Sequence, residues 1–277
     1  MSSSAQKARR GVLLVAHGTR HPRGLDEAAQ LARSVARLLP QHPLQLAFLE
    51  LAEPDVGQGA EELLAQGAGE VVLVPLLLFA AGHWKRDLPL LVEQLRRRHP
   101  GVRFHLAPPL DCEEEVVALA AERFQEAQQR LEQGFPTEPL VGPLVPLEEP
   151  LGARGPGAAA AALVLVGRGT SDAEAQQRLH RLGRLVARRT GAAELRTCFV
   201  ERGRPLLSEV LEQLELFATA RIVVQPHLLF SGRVLQQVEQ AVQQARGKFP
   251  RHRLVLARPL GADPLLAQLL ARRVALA

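Results

Sequence analysis

The chain has 277 residues, 47% of them apolar, and a formal net charge of +5, enough for one large domain or two modest ones. No apolar run approaches the roughly 18 residues of a membrane span, and 4% aromatics leave little for base stacking, so neither a membrane nor a nucleic acid is an expected partner. Cys112 and Cys198 stand in no CxxC pattern, which argues against a disulfide framework and against a zinc site.

The chain opens on MSSSAQKARR, too polar for a signal peptide, and residues 1–11 read as a disordered leader on a cytoplasmic protein. Val12 to Ala16 form an apolar run without alternation, the pattern of a strand buried on both faces. His17-Gly18 ends it, and apolar residues at helical spacing (Ala28, Leu31, Ala32, Val35, Leu39) predict a helix from about Asp26. Leu44–Leu51 reads as a second strand, Asp55–Gln66 as a helix closed by Gly67, and Val71–Leu78 as a third strand. The loop Phe79–Trp84 leads to a helix at Asp87–Arg98 with Pro89 in its first turn, then a strand at Val102–Ala107 and a helix from Glu113 to about Glu132. This alternation predicts a parallel sheet with helices on both faces.

From Gln133 to Ala160 the chain is rich in Pro, Gly and Ala, and reads as an extended linker. Beyond it the pattern restarts. A shift of 151 residues aligns LLVAHGT (13–19) with VLVGRGT (164–170), AFLELAEP (47–54) with CFVERGRP (198–205), and VLVPLLLF (72–79) with VVQPHLLF (223–230). A shift of 150 then aligns LAPPL (106–110) with LARPL (256–260). Two copies of one α/β domain follow: 12–132 and 161–277, joined by 133–160. The expected fold is two tandem flavodoxin-like domains, each a four-stranded parallel sheet. Residues 158–277 carry 18 basic and 9 acidic residues, so the second copy is strongly cationic and suits an anionic partner.

His17 follows the first strand and His83 the third. With strand order 2-1-3-4 those strands are neighbours, and the crevice at their carboxyl ends is where open α/β sheets bind ligands. Glu50, at the end of the second strand, lies on the same rim. Two imidazoles and a carboxylate suit divalent metal binding or proton abstraction near neutral pH.

These residues also resemble a known family. The His-Gly-Thr-Arg loop, the strand ending in FLE, and above all the block Phe79–Pro89 (FAAGHWKRDLP) look like the sirohydrochlorin chelatases in their long, tandem-repeat form. These class II enzymes insert cobalt or iron into sirohydrochlorin without ATP. The resemblance implies that His17 and His83 are the catalytic pair at the metal and pyrrole nitrogens, with Glu50 assisting metal delivery. It further implies that no cofactor is permanently bound and that Co2+, Fe2+ or Ni2+ is a substrate. Lys85 and Arg86, beside His83 at a helix N-terminus, are candidates to hold carboxylates of the tetrapyrrole, or serve as solubility charges. Trp84 is expected to pack under its loop or on a tetrapyrrole face.

The second copy departs from the pattern. Arg168 replaces the first histidine and Arg233 stands near the second, while Glu201 is kept. This half is expected to be non-catalytic, to face the first, and to bind substrate carboxylates through Arg168 and Arg233. His227, opposite Leu76, is expected to be a satisfied core or interface histidine. A fused pair can supply its own cleft, so a monomer is expected. Two other classes compete. HGTRHP matches most of the R-H-G-x-R-x-P signature of histidine acid phosphatases, but Ala16 stands where the first phosphate-clamping arginine belongs. A metal or tetrapyrrole carrier without turnover is the other.

Overall fold

The computed structural model describes residues 9–133 and 160–277. Residues 1–8 and 134–159, most of the expected leader and linker, lie outside the described residues. The first half runs β1 (Arg10–Ala16), α1 (Pro22–Leu38), β2 (Leu44–Phe48), α2 (Val56–Ala65), β3 (Glu70–Leu76), α3 (Leu88–Arg98), β4 (Arg103–Leu106) and α4 (Glu114–Gln133). The second runs β5 (Ala162–Gly167), α5 (Ala173–Thr190), β6 (Leu195–Phe199), α6 (Leu207–Leu211), β7 (Arg221–Pro226), α7 (Arg233–Lys248), β8 (Arg253–Leu256) and α8 (Pro264–Leu276).

Both sheets are parallel, with orders β2-β1-β3-β4 and β6-β5-β7-β8, as the repeat and the flavodoxin-like reading anticipate. The central strands β1 and β3 are buried along their whole apolar run, with Val12, Leu13, Leu14 and Val15 and Val71 to Val74 at 0% exposure. Each such side chain contributes about 1.5–3 kcal/mol.

Local details shift the expected bounds. β1 starts at Arg10 rather than Val12, because Arg10 and Gly11 pair with Glu70 and Val71 and the Arg10 guanidinium meets the buried Glu70 carboxylate at 2.6 Å. The end of the expected leader is thus strand. α1 starts at Pro22, four residues before Asp26, since proline suits the first helical turn. α2 begins with a reciprocal cap. The Gln58 backbone N–H donates to Asp55 Oδ1 at 2.8 Å, and that of Asp55 donates to Gln58 Oε1 at 2.7 Å.

The halves are not two side-by-side domains. α4, at the end of the first copy, packs on β7 and β8 of the second sheet and against α5. α8, at the end of the second copy, packs on β3 and against α1. The copies have exchanged their last helices. One hydrophobic core therefore runs from Leu14 and Val74, through Phe124 and Leu119 of α4, to Leu165 and Val223. Polar anchors fix the exchange. Arg123, 3% exposed, meets Asp263 at 2.7 Å and donates to the Leu260 carbonyl at 2.9 Å. Glu126 takes a bidentate pair from Arg258 at 2.6 and 2.7 Å. Burial alone would push the Glu126 carboxyl up in pKa, but the bonds from Arg258 and the charge of Arg123 outweigh it and hold it below the usual range. α2 and α3 cover the outer face of the first sheet, and α6 and α7 that of the second.

Candidate functional site

The carboxyl ends of both sheets open onto one cleft of about 1160 Å3 between the halves. The first rim is set by sequence-local geometry. Past β1 the pairing runs on for two residues: Leu49 donates to the Ala16 carbonyl at 2.9 Å and Glu50 to that of His17 at 3.1 Å. Gly18 then turns the chain at φ +99°, pressed so closely on the Glu50 carbonyl that a Cβ would lie 1.7 Å from its oxygen. No side chain fits there. The backbone N–H of His21 donates to Thr19 Oγ1 at 3.1 Å, steering the chain into α1.

The two residues so placed meet. His17 Nδ1 is 3.3 Å from Glu50 Oε1, a contact beyond the shared rim that the strand order predicts for them. The other ring nitrogen, Nε2, lies 3.0 Å from Nη1 of Arg168 on the opposite half. The repeat predicts Arg168 on the rim but carries no sign of its contact with the histidine. Among the described residues no group of three His, Cys, Asp or Glu is placed to hold a metal ion.

His83 opens a π-helical turn, His83–Asp87, that precedes α3 at the lip of the cleft, where its neighbours Gly82 and Trp84 line the space. The His83 side chain lies outside the described residues. Trp84 packs on the core beneath the loop, with Nε1 3.5 Å from the Ala107 carbonyl, and still shows to the cleft. Arg86 and Arg233 are exposed and line it, as expected.

Lys85 is placed otherwise. Its ammonium reaches the second half, 2.7 Å from Asp172 and 3.1 Å from Glu174, rather than standing open to a ligand. These contacts raise the lysine pKa and lower those of both carboxylates. Asp172 also caps α5, accepting from the Ala175 backbone N–H at 3.1 Å. On the other side of the cleft, Glu27 of α1, 7% exposed, accepts from the Ser231 backbone N–H at 2.6 Å and its hydroxyl at 2.8 Å. The cleft thus has one wall sewn together in the interior and one bridged by exposed charges.

His227 follows β7 and is 2% exposed on the cleft floor, with its ring 5.3 Å from that of Phe79. It is an interface histidine, as expected, but not a satisfied one: among the described residues neither ring nitrogen has a hydrogen-bond partner. Burial pushes its pKa down to about 3, so it is neutral. Glu201 and Arg202 also line the cleft. The sequence signal for Arg202 is the repeat alignment, which sets it opposite Leu51 and so marks a cation that only the second rim carries. Both cysteines are free thiols, and burial pushes each up to about 12, leaving them unreactive.

Comparison with known proteins finds relatives over both halves of the chain. The model of the CbiX family matches residues 11–127 and again 162–277. The sirohydrochlorin cobaltochelatase of Priestia megaterium is 28% identical over 95% of this chain and 78% of its own length. The sirohydrochlorin ferrochelatase of the same organism is 28% identical over 95% of this chain and 88% of its own. Among solved structures, SirB from Bacillus subtilis with Fe3+ superposes with a TM-score of 0.77 at 27% identity, covering 96% of this chain and 94% of that one.

Proposed function

The chain belongs to the CbiX family, and from that premise we propose that it inserts a divalent metal ion into sirohydrochlorin, without ATP, with cobalt as the first ion to test. The observation that carries this reading is the His17–Glu50 pair, 3.3 Å apart on the rim of a cleft of about 1160 Å3 whose opposite wall presents Arg168, Arg202 and Arg233. Pockets for small ligands run to about 1,000 Å3, so the space suits a whole tetrapyrrole. The arginines suit its carboxylates. The relatives named above carry the same assignment, one for cobalt and one for iron.

Metal insertion needs a partly dehydrated ion, a ring held in place, and a base for two pyrrole N–H protons. The Glu50 carboxylate accepts the Nδ1–H of His17, which fixes the tautomer and makes Nε2 the more basic, ligating nitrogen. His17 then presents the incoming ion. His83, on the neighbouring loop, takes the pyrrole protons, since one imidazole lone pair serves only one of these tasks at a time. Arg86 and Arg233, at opposite lips, hold substrate carboxylates. The neutral floor of His227 and Phe79 faces the ring without adding charge. An imidazole–carboxylate pair accepts Fe2+, Co2+ and Ni2+ alike, with affinity rising along that order, so the ion supplied sets the product. The protein acts as a cytoplasmic monomer, with no nucleic-acid or membrane partner and no permanent cofactor. The histidine phosphatase reading is disfavoured, because His17 is held by a carboxylate and one arginine rather than lying between two phosphate clamps.

The test is spectrophotometric. Purified protein mixed with sirohydrochlorin and Co2+, Fe2+ or Ni2+ is expected to convert the absorption of the free ring to that of the metallated ring faster than the buffer control. No acceleration with any of the three ions overturns the reading.

A further inference from the structure

Arg168 comes from the second half, yet its Nη1 lies 3.0 Å from His17 Nε2. A guanidinium carries donors only, so in this contact Nε2 is the acceptor and the imidazole is neutral, with its hydrogen on Nδ1. That hydrogen faces Glu50 Oε1 at 3.3 Å. The lone pair through which His17 could take an ion or a proton is thus spent on an arginine. A fixed positive charge also stands where a divalent cation would approach.

We infer that Arg168 is a positioning residue that latches His17: it withholds Nε2 from metal until carboxylates of the tetrapyrrole draw the guanidinium away. The inference rests on the chelatase reading of the cleft and adds an order of events to it. A carboxylate offers the guanidinium an opposite charge and two acceptor oxygens for a bidentate pair, where the neutral imidazole offers one lone pair. The Arg168 side chain is exposed, so the swing from imidazole to carboxylate meets no packing barrier. Arg202 and Arg233 line the same wall and can take other carboxylates of the same ring. Substrate binding thereby uncovers the metal ligand: ring first, ion second. In the empty enzyme the latch keeps His17 from being occupied by stray transition metals.

The position of Arg168 in the repeat sharpens this. It stands where the first half has His17 itself, on an equivalent turn. The second rim has not merely lost a histidine. It has placed a donor against the surviving one.

The test measures Co2+ binding to the substrate-free protein by isothermal titration, for wild type, Arg168→Ala, His17→Ala and the double variant. Arg168→Ala is expected to bind Co2+ about tenfold more tightly than wild type or better, from the freed lone pair and the removed charge. The gain is expected to vanish in the double variant. In stopped-flow mixing, wild type preloaded with sirohydrochlorin is expected to react faster than wild type preloaded with Co2+, a difference that Arg168→Ala abolishes. Equal Co2+ affinity in wild type and Arg168→Ala overturns the latch, and so does a gain that persists without His17. Because titration needs no turnover, failure of the chelatase reading shows as absent metal insertion in wild type. Failure of the latch alone leaves insertion intact with unchanged affinity.

Discussion

At the end of β1 the chain reads His17-Gly18-Thr19, and at the end of β5 Arg168-Gly169-Thr170. The two turns share one backbone. Gly18 and Gly169 take φ +99° and +106°, each against a glutamate carbonyl that would lie 1.7 or 1.6 Å from an added Cβ. Glu50 donates to the His17 carbonyl at 3.1 Å, and Glu201 to that of Arg168 at 2.9 Å. Thr19 and Thr170 each accept, at 3.1 Å, from the backbone N–H two residues on. What both rims keep is needed to turn the chain. What one rim has dropped, the imidazole, is not needed for the turn, and what the other has gained, the guanidinium, reaches across to it.

The largest stability effect is expected where the halves interlock. Glu126→Ala leaves Arg123 and Arg258 without their shared carboxylate and should cost about 3–5 kcal/mol. Unfolding should stay a single calorimetric transition, because the exchanged helices give both halves one core. Two separate transitions would show that they fold as independent units. Acid should act in the same direction. The folded-state pKa of Glu126 is depressed, so its contribution is present above the ordinary carboxylate value near 4.5 and is lost as pH falls below it.

Next come the glycines. Gly18→Ala and Gly169→Ala should each lose at least about 1–3 kcal/mol by denaturant titration, and by similar amounts, if the two turns are one device used twice. A large loss at one and none at the other would undo the equivalence.

A smaller effect of opposite sign is expected on the floor. His227→Leu installs the residue that the first half has at position 76 and removes two unpartnered buried nitrogens. It should stabilise by about 1 kcal/mol. It should also flatten the pH dependence. Below 6.5 the unfolded chain takes up a proton that the folded chain, with its pKa at about 3, refuses. His227 therefore subtracts about 1.4 kcal/mol per pH unit as pH falls from 6.5 toward 3, and nothing above that window. Melting curves at pH 5 and pH 8 for wild type and variant check this.

The smallest effect is at Lys85. The bridge itself is exposed, so Lys85→Ala should leave the melting temperature unchanged. Loss of the bridge to Asp172 and Glu174 should instead change KM for the tetrapyrrole more than kcat.

Strand positions and the repeat were legible because a buried parallel strand is written as an unbroken apolar run, and the second copy repeats those runs in register. The strand order came from the flavodoxin-like fold, and with it His17 and Glu50 were legible as residues of one rim, though not as a contacting pair. The exchange of α4 and α8 was not. The spacing of Leu119, Phe124 and Ala127 says that a helix face is buried, but not on which sheet. The Arg168–His17 and Lys85–Asp172 contacts were hidden likewise, since both depend on how the halves face each other, which no local pattern encodes. The π-helical turn at His83–Asp87 escaped because Pro89 announces a helix start without fixing the turn before it. His227 was legible as buried from its place after β7, but the want of partners depends on neighbours from the other half.

The proposed chemistry rests on the imidazole of the first rim. The direct measurement is the rate of Co2+ insertion into sirohydrochlorin at saturating ring and metal, for wild type and His17→Ala of equal thermal stability. A fall of roughly 100-fold or more is the result this account expects. A variant that inserts cobalt at the wild-type rate would contradict it.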